Sequence, residues 1–317
     1  MKYEQIKWLP EDQDPSMTIE TSSLVAKVID NTGLLLEKDE ESKSPFTAYG
    51  LHKPLPFSRP LGSHGIRTLY HKDEKRNVVI PFGCWLNLQG VRLSGTDLDP
   101  IDERVHAGVG RGWPMRMERR GEGAALHIDK MPMCQLSYTI EFRPAEPDGI
   151  EFSVRFTFGA KSADGPARFR ATWPCYMSAY DDVRFHYPMG PSSDNWQWTT
   201  LGEKPDIIVG ETVGYEHQQS SFLATDQALP VGYGRIGEMA LILMFDDPRV
   251  RFFVVNAGGH LYFSPVQNPA WDFEWEIENY PLNEPVGFNG KLIYAPFVSQ
   301  EHVLERYRQW SQVSSSD

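Results

Sequence analysis

The chain has 317 residues, 40% of them hydrophobic and 12% aromatic, with a formal net charge of −12. That length buries a large core, as one big all-β domain or two smaller ones. The acidic balance excludes nucleic acid and an anionic membrane surface as partners, because both are gripped by clustered Lys and Arg.

Taken in chain order, the first eight residues lack the apolar core of a signal peptide, and no run of eighteen apolar residues occurs anywhere. A soluble, cytoplasmic chain with no membrane contact is the expectation. Strands are predicted at 23–29 and 34–37, around the turn Asn31-Thr32-Gly33, and then at 66–71 and 77–82. The stretches 38–64 and 95–115 are rich in Pro, Gly, Asp and Ser and are read as long loops, where binding groups usually sit. Asp97, Asp99, Asp102 and Glu103 gather oxygen ligands, but the Gly and terminal Glu spacing of a calcium loop is absent, so a solvated loop is expected. Gly108-Val109-Gly110-Arg111-Gly112 is not a dinucleotide fingerprint, since Trp113-Pro114 interrupts it and no helix is predicted after it. Cys84, Cys134 and Cys175 are widely spaced and form no CxxC pair, so neither a zinc site nor a disulfide framework follows.

The clearest hairpin comes next. Cys134, Leu136, Tyr138, Ile140 and Phe142 alternate with polar residues; so do Ile150, Phe152, Val154, Phe156 and Phe158, with Pro144, Pro147, Asp148 and Gly149 supplying the turn. A strand at 168–174 is followed by 185–220, read as a third long loop carrying Trp196 and Trp198. Strands at 240–246, 250–256, 271–278 and 289–295 lead to a C-terminal helix, capped by Ser299, in which Val303, Tyr307 and Trp310 recur at i, i+4 and i+7. Strand follows strand with no helices between them, and no repeat or linker divides the chain. The expectation is a single all-β domain over 1–317. No Gly-x-Ser-x-Gly, His-Glu-x-x-His or Walker loop is present, so hydrolase, metalloprotease and nucleotide readings lose their usual support.

The most informative segment is Trp271-Asp272-Phe273-Glu274-Trp275-Glu276-Ile277-Glu278. Period two puts Trp271, Phe273, Trp275 and Ile277 on one face and four carboxylates on the other. Alternate residues on a strand lie only ~6.6 Å apart. The acidic face must therefore be wet, matched by cations, or carry a carboxylate of raised pKa.

Glu276-Ile277-Glu278-Asn279-Tyr280-Pro281, followed by a Gly-containing turn and the strand Lys291-Leu292-Ile293-Tyr294, resembles the last part of galactose mutarotases (aldose 1-epimerases), where a Glu-Thr-Gln-x-x-Pro stretch precedes a closing strand. The resemblance implies a large antiparallel β-supersandwich of about this length. It also implies a carbohydrate as partner, no cofactor, and Glu276 as the catalytic base, with Ile277 and Glu278 replacing Thr and Gln. In the implied mechanism the carboxylate takes the proton of the anomeric hydroxyl while an acid protonates the ring oxygen. The family's Asn-His-Pro-Tyr-Phe stretch corresponds to Ala171-Thr172-Trp173-Pro174-Cys175-Tyr176, with Trp173 where the acid His would stand. The acid must come from elsewhere: His186 and His106 are the candidates, with His64 and His71, flanking Arg67, as a third possibility.

Arg67 is similar to the arginine that grips a sugar hydroxyl in the family. Trp173, Tyr176, Trp196 and Trp198 could stack on a pyranose, although core packing serves equally well for Trp173. Two rivals stay open: a non-catalytic carbohydrate-binding domain, and a polysaccharide lyase on the same fold, in which Arg67, Arg104 and Arg111 would neutralise a uronic carboxylate.

Overall fold

The computed structural model describes residues 7–8, 16–30, 34–35, 64–79, 87–89, 115–131, 135–161, 168–173, 175, 177, 182, 184–201, 220–257 and 268–314. In chain order these form β1 (Lys7–Trp8), β2 (Ser16–Glu20), β3 (Leu24–Ile29), β4 (Leu34–Leu35), β5 (Gly65–His71), β6 (Asn87–Gln89), β7 (Met115–Arg120), β8 (Gly123–Met131), β9 (Leu136–Ala145) and β10 (Gly149–Thr157). They continue with β11 (Arg168–Trp173), β12 (Phe185–Ser192), β13 (Asn195–Leu201), β14 (Ser220–Leu223), β15 (Val231–Ile236), β16 (Met239–Phe245), β17 (Val250–Ala257), β18 (Asn268–Glu278), β19 (Pro285–Pro296) and the helix α1 (Gln300–Ser314).

A nine-stranded sheet in the order β13-β12-β15-β16-β19-β10-β9-β8-β7 packs on a five-stranded sheet, β14-β17-β18-β11-β6. A three-stranded sheet, β2-β3-β5, joins the same core. The pairings within all three sheets are antiparallel. The fold is the antiparallel β-sandwich expected from the sequence, with the helix at its C-terminal end.

The predicted hairpin forms β9 and β10, paired from Ala145↔Gly149 to Ser137↔Thr157. Its alternate residues Leu136, Tyr138, Ile140, Phe142, Phe152, Val154 and Phe156 are buried, because one face of the pleat meets the second sheet. Phe152 lies 5.6 Å from Trp173 and 6.3 Å from Phe273, and Phe156 stacks on Trp275 at 5.6 Å. Aromatic pairs of this kind add about 0.5–1.5 kcal/mol each beyond their area. The contact of sheets is so close that a Cβ on Gly234 would lie 2.3 Å from the ring of Trp271, and only glycine fits there.

The helix begins where expected. The Ser299 hydroxyl accepts the His302 N–H at 3.2 Å, and Val303, Leu304 and Trp310 are buried against Val231, Ile242 and Ile293 on the outer face of the nine-stranded sheet. Arg306 pairs with both oxygens of Asp148 to fix it there.

Two expectations are corrected. The stretch from 185 is not a loop over its described part: Phe185–Ser192 and Asn195–Leu201 pair as a hairpin at the edge of the nine-stranded sheet. Proline 188 is tolerated there because its carbonyl accepts from Ala228 and the position needs no N–H toward β13. The predicted strand at 77–82 is reduced, within 77–79, to a single bridge between Val79 and Met177. Of the loops expected at 38–64 and 95–115, residues 38–63 and 95–114, the acidic cluster with them, lie outside the described residues.

Candidate functional site

The polar face of β18 is the outer face of the five-stranded sheet. Trp271, Phe273, Trp275 and Ile277 are buried in the core, as the alternation requires. Asp272, Glu274 and Glu276 point the other way, and burial falls along the strand from Asp272 to the exposed Glu278.

Neighbouring strands supply the cations. Register places Arg170 opposite Glu276 and Thr172 opposite Glu274 on one side, and Arg251 opposite Glu274 on the other. Arg251 Nη2 bonds Glu274 Oε1 at 2.6 Å, while Arg170 reaches Glu276 Oε2 through Nε at 3.3 Å and Glu274 Oε2 through Nη1 at 3.7 Å. Of the three ways to hold carboxylates so close, the chain uses matching by arginine. Glu274 is enclosed, its side chain 8% exposed, whereas Glu276 and Arg170 are 17% and 33% exposed and open to a ligand. Asp272 is structural: its Oδ1 accepts the Cys175 N–H at 2.7 Å.

Between these charges lies Thr172, 3% exposed, whose Oγ1 is buried and has no hydrogen-bond partner among the described residues. A buried hydroxyl left so costs about 1–3 kcal/mol. An ion-paired carboxylate at the surface and a guanidinium beside it together suit a ligand rich in hydroxyl groups.

The candidates read from the sequence divide between places. Glu276 is on this face. His186 is not: its neighbours Phe185 and Tyr187 enter the core, so His186 projects from the outer face of the nine-stranded sheet, where it stacks on Tyr233 at 4.6 Å. The sandwich, about 10 Å from sheet to sheet, separates it from Glu276 and removes it as the acid for that carboxylate. Near it, burial works to raise the Asp182 carboxyl, but Arg184, by side chain and backbone N–H, outweighs this and holds it below its ordinary range.

Trp196 and Trp198 share that opposite face, 5.9 Å apart, with Trp198 5.5 Å from Tyr233. They are strand residues, against the expectation of a loop. Trp173 belongs to the core, 3% exposed and stacked on Phe273 at 5.6 Å, so it cannot stack on a sugar. His64 is buried too, its Nε2 3.4 Å from the hydroxyl of Tyr138, a phenol that burial pushes well above its ordinary pKa. Arg67 is half-buried at a bulge in β5, between Ile66 and Thr68, which pair with Val28 and Lys27. His106, Arg104, Arg111 and Tyr176 lie outside the described residues.

Sequence reading missed Arg170, Arg251, Thr172 and Glu274 as a group. The signal was present: Arg168, Arg170 and Thr172 alternate with Phe169, Ala171 and Trp173, a basic strand complementary to the acidic one.

Among the described residues no cluster of His, Cys, Asp and Glu could hold a metal ion, and no helix is long and apolar enough to cross a membrane. No protein-family model matches the sequence and no curated protein matches it. Solved structures do. A galactose mutarotase related enzyme from Lactobacillus acidophilus matches with a TM-score of 0.52 at 7% identity, over 89% of this chain and 100% of that one. A galactose mutarotase-like protein from Lactobacillus casei matches with a TM-score of 0.49 at 9% identity, over 88% of this chain and 99% of that one. The fold is thus galactose mutarotase-like, and the first likeness spans nearly the whole of both chains.

Proposed function

We propose that this protein binds a carbohydrate on the outer face of β11, β17 and β18, and that Glu276 serves there as general base in an epimerase-like reaction at the anomeric carbon. The observation that carries the reading is the placement of Glu276, a partly exposed carboxylate held by Arg170 on a polar face, in a fold shared with a galactose mutarotase related enzyme. Glu276 is the residue to which the sequence resemblance assigns the base. A carboxylate oriented by a guanidinium is set to receive the anomeric hydroxyl, whose proton it takes as the ring oxygen gains one from an acid. The acid belongs to another segment. His186 faces away, and His106 keeps the role proposed for it from the sequence.

One observation favours the binding-module alternative: Trp173, which the sequence resemblance sets where the family's acid His would stand, is packed in the core. The experiment that separates the two is NMR of a panel of aldoses and uronic acids with wild type and Glu276→Gln. Accelerated anomeric exchange that the variant loses supports the base. Line broadening alone, equal in both proteins, makes this a binding domain, and new unsaturated products make it a lyase.

A further inference from the structure

The two ends of the nine-stranded sheet are built differently. At one end β7 reads Met115-Arg116-Met117-Glu118-Arg119-Arg120, so its edge is fenced by charge. Glu118 is gripped by Arg120 and Arg116 and its carboxyl is lowered to about 2, so the fence stays charged at any ordinary pH. Charged side chains on an edge strand prevent another strand from adding to it.

At the other end β13, with no further strand beside it among the described residues, reads Asn195-Trp196-Gln197-Trp198-Thr199-Thr200-Leu201, with neither a charged residue nor proline. Its pairing with β12 fixes which backbone groups it offers. The Pro188 carbonyl accepts from Ala228 N and the Gly190 N–H bonds Asp226 O, so these positions of β12 turn away from β13. Pro188 stands opposite Trp198, and residues facing each other in an antiparallel pair turn together. The N–H and C=O of Trp198, and by alternation those of Trp196, therefore point out of the sheet at its edge. Their side chains are half-buried on the outer face, and Asn195 and Gln197 are exposed.

We propose that β13 is a pairing edge and that its partner is the β13 of a second copy of this chain, antiparallel about a two-fold axis at Gln197. Self-complementarity is what selects the occupant. In this register Trp196 of each copy exchanges backbone hydrogen bonds with Trp198 of the other, Gln197 faces Gln197, and the two tryptophan pairs merge into one aromatic patch. No like charges oppose one another, and an isologous contact of this kind closes as a dimer instead of growing into a fibre. In the five-stranded sheet the edges among the described residues are short, β6 of three residues and β14 of four, and the far edge of the nine-stranded sheet is charged, as β7 shows.

Sedimentation velocity from micromolar to sub-millimolar concentration, with three variants, tests this. Wild type is expected to double in mass with concentration. Gln197→Lys, at an exposed position, sets two ammonium groups face to face across the axis, about 4.5–5.5 Å apart at Cβ, and is expected to stay monomeric with unchanged thermal unfolding. Gln197→Cys is expected to form a disulfide-linked dimer under mild oxidant; Asn195→Cys, whose two copies lie about four strand positions or ~13 Å apart in this register, is expected not to, and wild type is the blank for the native cysteines. A chain monomeric at every concentration leaves the edge to a foreign strand and overturns the proposal. So does a dimer that survives Gln197→Lys, or a cross-link at 195 and not at 197.

Discussion

Replacing Thr172 by Val is expected to make the free protein more stable and to leave ligand binding unchanged. The Thr172 hydroxyl is buried and has no partner among the described residues, so removing it relieves a penalty of about 1–3 kcal/mol. Valine keeps the β-branched shape, fits the strand equally well, and puts a methyl where the hydroxyl was. The backbone pairing to Glu274 is untouched. A net gain of about 1–2 kcal/mol follows; with an m value of about 3 kcal/mol/M this raises the urea midpoint by roughly 0.3–0.7 M. On the ligand side the Oγ1 is closed off, so affinity for the sugar that the NMR panel identifies is expected to stay within about twofold of wild type, under 0.5 kcal/mol. A urea midpoint below wild type would refute the reasoning, since it would mean that the hydroxyl is bonded in the free protein.

The layout of the fold was legible wherever one face of a strand is buried and the other is not. In β9, β10 and β18 every second residue enters the core, so period two appears undiluted in the sequence. The helix was legible from its cap and apolar stripe. The hairpin β12–β13 was hidden because Phe185-His186-Tyr187-Pro188-Met189-Gly190-Pro191-Ser192 has the composition of a loop, and only its pairing partners make an extended chain of it. Glu276 could be singled out because the family resemblance points to it and the local alternation sets it on the polar face. Its arginines could not, although Arg170 and Arg251 stand in strands read correctly from sequence: which strands are neighbours is decided by the packing of the whole core, and a register slip of one residue would send both arginines inward. The position of His186 on the other sheet was hidden for the same reason, since the residues of a strand do not say which sheet it joins.

The remaining predictions probe the charges and the faces. Asp247 is held below its ordinary pKa of 3.8: burial acts to raise it, but Arg249 and the Trp275 indole N–H outweigh that. A carboxylate lowered in the folded state contributes stability above its unfolded pKa and loses it as pH falls through the folded value. Asp247→Asn should therefore be less stable at neutral pH yet flatter below about pH 4, read from urea midpoints across pH. Arg306→Met leaves Asp148, 13% exposed, without its guanidinium and loosens α1; a loss of about 1–3 kcal/mol is expected, discounted from the fully buried case. The last prediction concerns the family's missing acid. Restoring it by Trp173→His looks natural from the sequence resemblance, but Phe169, Ala171 and Trp173 all enter the core, while Arg170 and Thr172 line the polar face. The imidazole would lie among Phe142, Phe152 and Phe273, on the far side of the strand from Glu276. Trp173→His should thus lose about 3–5 kcal/mol, as large-to-small changes in a core do, and gain no anomeric exchange. Exchange that rises in this variant would show that the two faces of β11 are assigned the wrong way round.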